Sequence, residues 1–164
     1  MRVAIIGTGN VGSALIHQMA GIKNVAHISI HSRKQDTAMA AILDVASAHP
    51  ECALQMSVGT IEDLEAADIL VLTSGAQMKS GQSATDVKSE NVQITTSFFK
   101  SFTPKSTALV IALATPVDDI TPIVQNISSL PKSQVFGFGG DLDLNRLRYI
   151  LAKQGRDFSG HYKP

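Results

Sequence analysis

Three glycines at positions 7, 9 and 12 constrain this chain more than any other feature. They follow an apolar run at residues 3–6, Val-Ala-Ile-Ile, and give the spacing G-x-G-x-x-G. Such a run fits a buried strand. Gly7 permits the tight turn out of it, Gly9 lets the backbone approach a pyrophosphate, and Gly12 lets the next helix pack closely on the sheet. The N-terminus of that helix then faces the anion. The helix is expected to carry Val11, Leu15, Ile16 and Met19 as its apolar residues. Gly7, Gly9, Asn10, Val11 and Gly12 are therefore candidate contacts for a dinucleotide. A glycine turn in an α/β protein without a ligand is the competing reading.

Apolar runs and turn residues order the remainder. Strands are predicted at residues 26–30, 55–59, 69–73, 108–113 and 135–139. Helices are predicted at 34–48, with Ala38, Met39, Ile42, Leu43 and Ala46 at helical spacing, and at 120–127 and 141–153. A further helix after the polar loop 74–83 places Val87, Asn91, Ile94, Phe98 and Phe102 on one face. The final helix is expected to turn Leu144, Leu147 and Leu151 inward. Strands buried on both faces and alternating with helices indicate a parallel sheet. The fold expected is α/β, a Rossmann fold with a doubly wound six-stranded parallel sheet, and residues 1–164 read as one dinucleotide-binding domain.

Composition removes several classes. The formal net charge is zero, so nothing draws the chain to nucleic acid or to an anionic membrane surface. No apolar stretch approaches the ~20 residues needed to span a bilayer. Cys52 is the only cysteine, which excludes an internal disulfide and suits a reducing, cytoplasmic setting. The five histidines, His17, His27, His31, His49 and His161, have no ligand spacing, so no metal is expected.

Five ordered segments resemble the N-terminal half of the lactate/malate dehydrogenase family. They are GTGNVGS at 7–13, ADILVLTSGA at 67–76, Lys79 and Gly81 with Asp86 and Asn91, ATPVD at 114–118, and LDLNRLR at 142–148. The resemblance implies hydride transfer between a nicotinamide and a small 2-hydroxy or 2-oxo acid. It implies that Asp143 orients a catalytic histidine and that Arg146 pairs with the substrate carboxylate. Their i, i+3 spacing puts both on one helix face. Ser74, Gly75, Ala76 and Thr115 join the cofactor contacts on the same basis. It also implies a possible homo-oligomer, with helix 34–48 in subunit contact.

The chain departs from that pattern in four places. Ala84 stands where the substrate-loop arginine would polarise a carbonyl, and Met78 stands at the substrate-selecting position. Thr115 replaces an asparagine. The family's catalytic histidine belongs to a segment that would follow Tyr162, and His161 lacks its neighbours. The substrate-binding half is thus expected outside this chain, and residues 1–164 alone are expected to be inactive. A non-catalytic NAD(P)-binding module, or a degenerate paralogue that senses the cofactor, is the alternative.

The second strand gives the cofactor reading. NAD-dependent members end it with a carboxylate for the ribose hydroxyls. Here His31, Ser32, Arg33 and Lys34 occupy that place, and Asp36 lies inside the next helix. A histidine, a hydroxyl and two cations suit a 2′-phosphate, with Arg33 as the main contact. NADP is the preferred cofactor in this reading, and NAD the other.

Overall fold

The structure of the protein, a computed structural model, describes residues 1–76 and 80–156. In chain order the elements are β1 (Arg2–Ile6), α1 (Asn10–Met19), β2 (His27–His31), α2 (Gln35–Ala48), α3 (Pro50–Ala53), β3 (Met56–Val58) and α4 (Ile61–Ala66). There follow β4 (Ile69–Leu72), α5 (Ala84–Phe99), β5 (Leu109–Ala112), α6 (Val117–Ser128), β6 (Val135–Gly137) and α7 (Gly140–Lys153).

All the strand pairings are parallel, in the order β3-β2-β1-β4-β5-β6. This is the doubly wound Rossmann sheet expected. Side chains of β1 alternate between two cores, as the two-residue period of a strand requires. Val3 and Ile5 join Ile28, Ile30 and Val71 on one face, beneath Ile16 of α1 and Ala38, Ile42 and Val45 of α2. Ala4 and Ile6 join Leu70, Leu72 and Val110 on the other, beneath Phe99 of α5 and Ile120 and Val124 of α6. Strand order reverses between β1 and β4, so the connections leave to opposite sides there. A crevice opens at the carboxyl ends of those two strands.

Several expected faces are redrawn. Val11 is exposed at the start of α1 rather than part of its apolar face. On α2 the inward residues are Ala38, Ala41, Ile42 and Val45, while Met39 and Leu43 are exposed. Apolar residues there occupy two adjoining stripes, and only one can meet the sheet. On α5 the inward stripe is Asn91, Thr95 and Phe99, whereas Phe102 enters the core from beyond the helix end. No residue of α7 is buried: Leu144 and Leu151 are half-buried and Leu147 is exposed, so it has no inner side of the kind expected. The short helices α3 and α4 were not expected. A capping box explains α4, since Asp63 N donates to Thr60 Oγ1 and Thr60 N donates back to Asp63 Oδ2.

Candidate functional site

The turn after β1 is built by exclusion of side chains. Gly7 has φ +114°, and a Cβ there would stand 2.6 Å from Ser74 N. A Cβ on Gly12 would lie 2.0 Å from the carbonyl oxygen of Gly7. Thr73 Oγ1 closes the other side by donating to the carbonyls of Ile6 and Gly7, each at 3.1 Å. Gly9 differs, because nothing lies within 4 Å of a Cβ placed on it. Two glycines therefore serve packing, and the middle one leaves an approach open. Helix α1 has no side-chain cap at Gly9, so the first-turn N–H groups of Asn10, Val11 and Gly12 keep their capacity for an anion. That arrangement fits a pyrophosphate.

A cleft of ≈ 920 Å³ opens above this turn. Residues 6–9, 31–34, 37 and 73–76 line it, together with Glu90, Ile94 and Phe98 of α5. Gly7, Gly9, His31, Ser32, Arg33, Ser74, Gly75 and Ala76 are thus brought together as expected. Asn10, Val11 and Gly12 adjoin them at the start of α1, outside the lining itself. Lys34, read from sequence as the second cation, lines it too, whereas Thr8, Thr37, Thr73, Glu90, Ile94 and Phe98 were not singled out as site residues by sequence. The i, i+4, i+8 spacing of Glu90, Ile94 and Phe98 is the signal that could have found the last three.

His31 does not behave as a cradle group. Its side chain is turned into the protein, where Nε2 shares a hydrogen bond with Ser29 Oγ at 3.0 Å. The ring fills the space over Gly59, where a Cβ would come within 2.1 Å of it. Burial lowers its pKa to about 4, with Asp63 pulling weakly the other way, so the ring is neutral at pH 7. The ring therefore offers no positive charge to a 2′-phosphate. Ser32, Arg33 and Lys34 remain at the mouth. Thr8 Oγ1 donates to Ser32 Oγ at 3.1 Å, which ties the end of β2 to the glycine turn. Arg33 and Lys34 are exposed.

Asn91 is buried and holds the two loops beside the cleft together. Ala76 N donates to Asn91 Oδ1 at 2.5 Å, and Asn91 Nδ2 donates to the Thr115 carbonyl at 2.6 Å. Thr115 itself is exposed, precedes a cis peptide bond to Pro116, and is not in the cleft lining. Ser83 caps α5: its Oγ donates to Asp86 Oδ2 at 2.7 Å, and this bond holds the Asp86 carboxyl below its ordinary range. Lys88 and Asp119 join α5 to α6 at 2.7 Å.

Asp143 and Arg146 lie together on α7, where Arg146 Nη1 donates to Asp143 Oδ1 at 3.1 Å. Their side chains are 79% and 67% exposed, and neither lines the cleft. Met78, Lys79, His161 and Tyr162 lie outside the described residues. Ala84 is the first residue of α5. Among the described residues, no group of three or more His, Cys, Asp or Glu could hold a metal ion. No helix among them is long and apolar enough to cross a membrane.

Known proteins share this arrangement. The model of the lactate/malate dehydrogenase NAD binding domain matches residues 1–137. An L-lactate dehydrogenase of Thermoanaerobacterium saccharolyticum is 34% identical over 158 residues, covering 93% of this chain and 50% of its own length. The malate dehydrogenase of Archaeoglobus fulgidus, solved in complex with NADH, superposes with TM-score 0.83 at 26% identity, over 94% of this chain and 54% of that one. The minor L-lactate dehydrogenase of Enterococcus mundtii, solved with ligands bound, gives 0.78 at 28%, over 95% and 51%. The chain spans about half the length of the curated relatives it matches. By sequence and by fold, the chain belongs to the lactate/malate dehydrogenase NAD binding domain family.

Proposed function

We propose that this protein is the cofactor-binding half of a dehydrogenase that moves a hydride between a nicotinamide dinucleotide and a small 2-hydroxy or 2-oxo acid. The observation that carries the reading is the uncapped N-terminus of α1 above an open Gly9, at the bottom of a cleft that a dinucleotide would fill. The dinucleotide, when bound, supplies the hydride acceptor or donor. The turn at residues 7–12 holds its pyrophosphate, and Asn91 fixes the loops at Ala76 and Thr115 beside it. Arg146 pairs with the substrate carboxylate, and Asp143 orients a histidine supplied from outside this chain. In this reading the substrate-binding half covers α7 and β6. The exposed Phe136, Phe138, Leu142 and Ile150 support such a cover.

The reading includes a preference for NADP. The end of β2 offers no carboxylate, and His31 is turned away, so Ser32, Arg33, Lys34 and Thr37 receive the 2′-phosphate. Arg33 supplies a planar fork that matches phosphate oxygens. Titration of the protein with NADH and NADPH tests both levels. NADPH is expected to bind tighter, and Arg33→Ala should weaken it about tenfold while leaving NADH nearly unchanged. Equal affinities would remove the preference, and no binding of either would remove the cofactor reading. The reading further includes a cytoplasmic homo-oligomer joined through α2, on which Met39 and Leu43 are exposed. Sedimentation of the protein beside a Leu43→Glu variant tests that contact.

A further inference from the structure

Helix α5 presents two neighbouring stripes. Asn91, Thr95 and Phe99 go into the protein, while Glu90, Ile94 and Phe98, each one residue earlier, line the cleft. Residues four apart lie nearly in a row, so this wall runs about 12 Å along the helix. It is apolar at Ile94 and Phe98 and ends in a carboxylate at Glu90. Glu90 is half-buried and is bonded to no described residue. The same cleft is lined by the cations Arg33 and Lys34 and by the hydroxyl of Thr37.

A flat apolar surface two turns long suits an aromatic ring. A ligand that covers an unpaired carboxylate must give it a donor, or the loss of water there opposes binding. The phosphates of a dinucleotide cannot be that donor, because they repel a carboxylate. The donor has to be an N–H or O–H on the ring end.

We propose that Glu90 reads the purine base of the dinucleotide: Ile94 and Phe98 take the face of adenine, and the Glu90 carboxylate accepts a hydrogen bond from its exocyclic amine. The inference rests on the cofactor reading above. It makes α5 the base-selecting wall of the cleft. A purine with a keto oxygen at that position points a lone pair at the carboxylate, so hypoxanthine is rejected.

The test compares NADH with reduced nicotinamide hypoxanthine dinucleotide. The ligand's own nicotinamide fluorescence reports binding without interference, because the chain contains no tryptophan. NADH is expected to bind about ten- to a hundredfold tighter, the range for a hydrogen bond to a charged group. Glu90→Gln, whose amide can either donate or accept, should shrink that preference to about threefold or less. Equal affinities in the unaltered protein would overturn the proposal. So would a preference that survives in Glu90→Gln, or a variant that weakens both ligands equally, which would assign Glu90 a charge role instead. If neither dinucleotide binds at all, the cofactor reading falls first and takes this inference with it.

Discussion

The turn after β1 and the segment β6–α7 sit at opposite extremes of packing. At the first, one added methyl on Gly12 would overlap backbone. At the second, Phe136, Phe138, Leu142, Leu147, Tyr149 and Ile150 are between 45% and 62% exposed. The difference follows from what each must hold. An anion gripped by backbone N–H groups requires the chain to come close, and closeness is achieved by deleting side chains. Asp143 and Arg146 meanwhile stand exposed on α7 and, among the described residues, pair with one another. Helix α7 is kept by local signals, with Asp141 and Asp143 in its first turn and Lys153 in its last. The glycine turn and the β6–α7 segment are therefore unequally complete in packing.

Substitutions can break that contrast. Gly12→Ala should be the most damaging, costing roughly 3 kcal/mol by overpacking and abolishing NADH binding; urea unfolding with a binding titration measures both. Acid is next. Because the His31 pKa is depressed when folded, the unfolded chain takes up its proton first as pH falls. The His31 contribution should then fall by about 2–3 kcal/mol between pH 6.5 and about 4, and change no further below. Asp63, Asp68 and Asp86, also held below their usual 3.8, weaken the fold only under that window. Urea midpoints across this range, flattened in His31→Asn, check the assignment.

Asn91→Leu should cost about 2 kcal/mol, since it leaves the Ala76 N–H and the Thr115 carbonyl without partners. It should weaken NADH by more than it shifts the melting temperature predicts. At the other end, Ile150→Ser is expected to stay within ~0.5 kcal/mol in thermal melts, as for an exposed site. A large loss there would show that α7 is better packed than its exposure indicates, and the contrast would collapse.

The sheet was readable because β1 and β4 are apolar on both faces, which few other folds require. The glycine turn was readable because its spacing encodes a close approach. The orientation of His31 was not legible, for a definite reason. Its position marks the end of β2, but the direction of its ring depends on the empty space over Gly59, twenty-eight residues later. The helix after the loop was found, yet its functional edge was not. Val87, Asn91, Ile94 and Phe98 straddle two stripes, and only the sheet decides that Asn91 faces in while Ile94 faces the cleft. On α7, Leu144, Leu147 and Leu151 have the right period for burial, yet none of them is buried.

The strand order has a consequence for how the chain is made. β1 pairs with β2 on one side and with β4 on the other, and β4 begins at Ile69. The Asp68 N–H donates to the Arg2 carbonyl and the Arg2 N–H donates to the Asp68 carboxylate, and these bonds close a loop of more than sixty residues. Until that stretch leaves the ribosome, Val3 to Ile6 expose an unpaired, wholly apolar edge. Contacts so distant in sequence form slowly. A nascent chain cut short before residue 69 would thus be sticky rather than half-folded, and synthesis past β4 is the step that protects it.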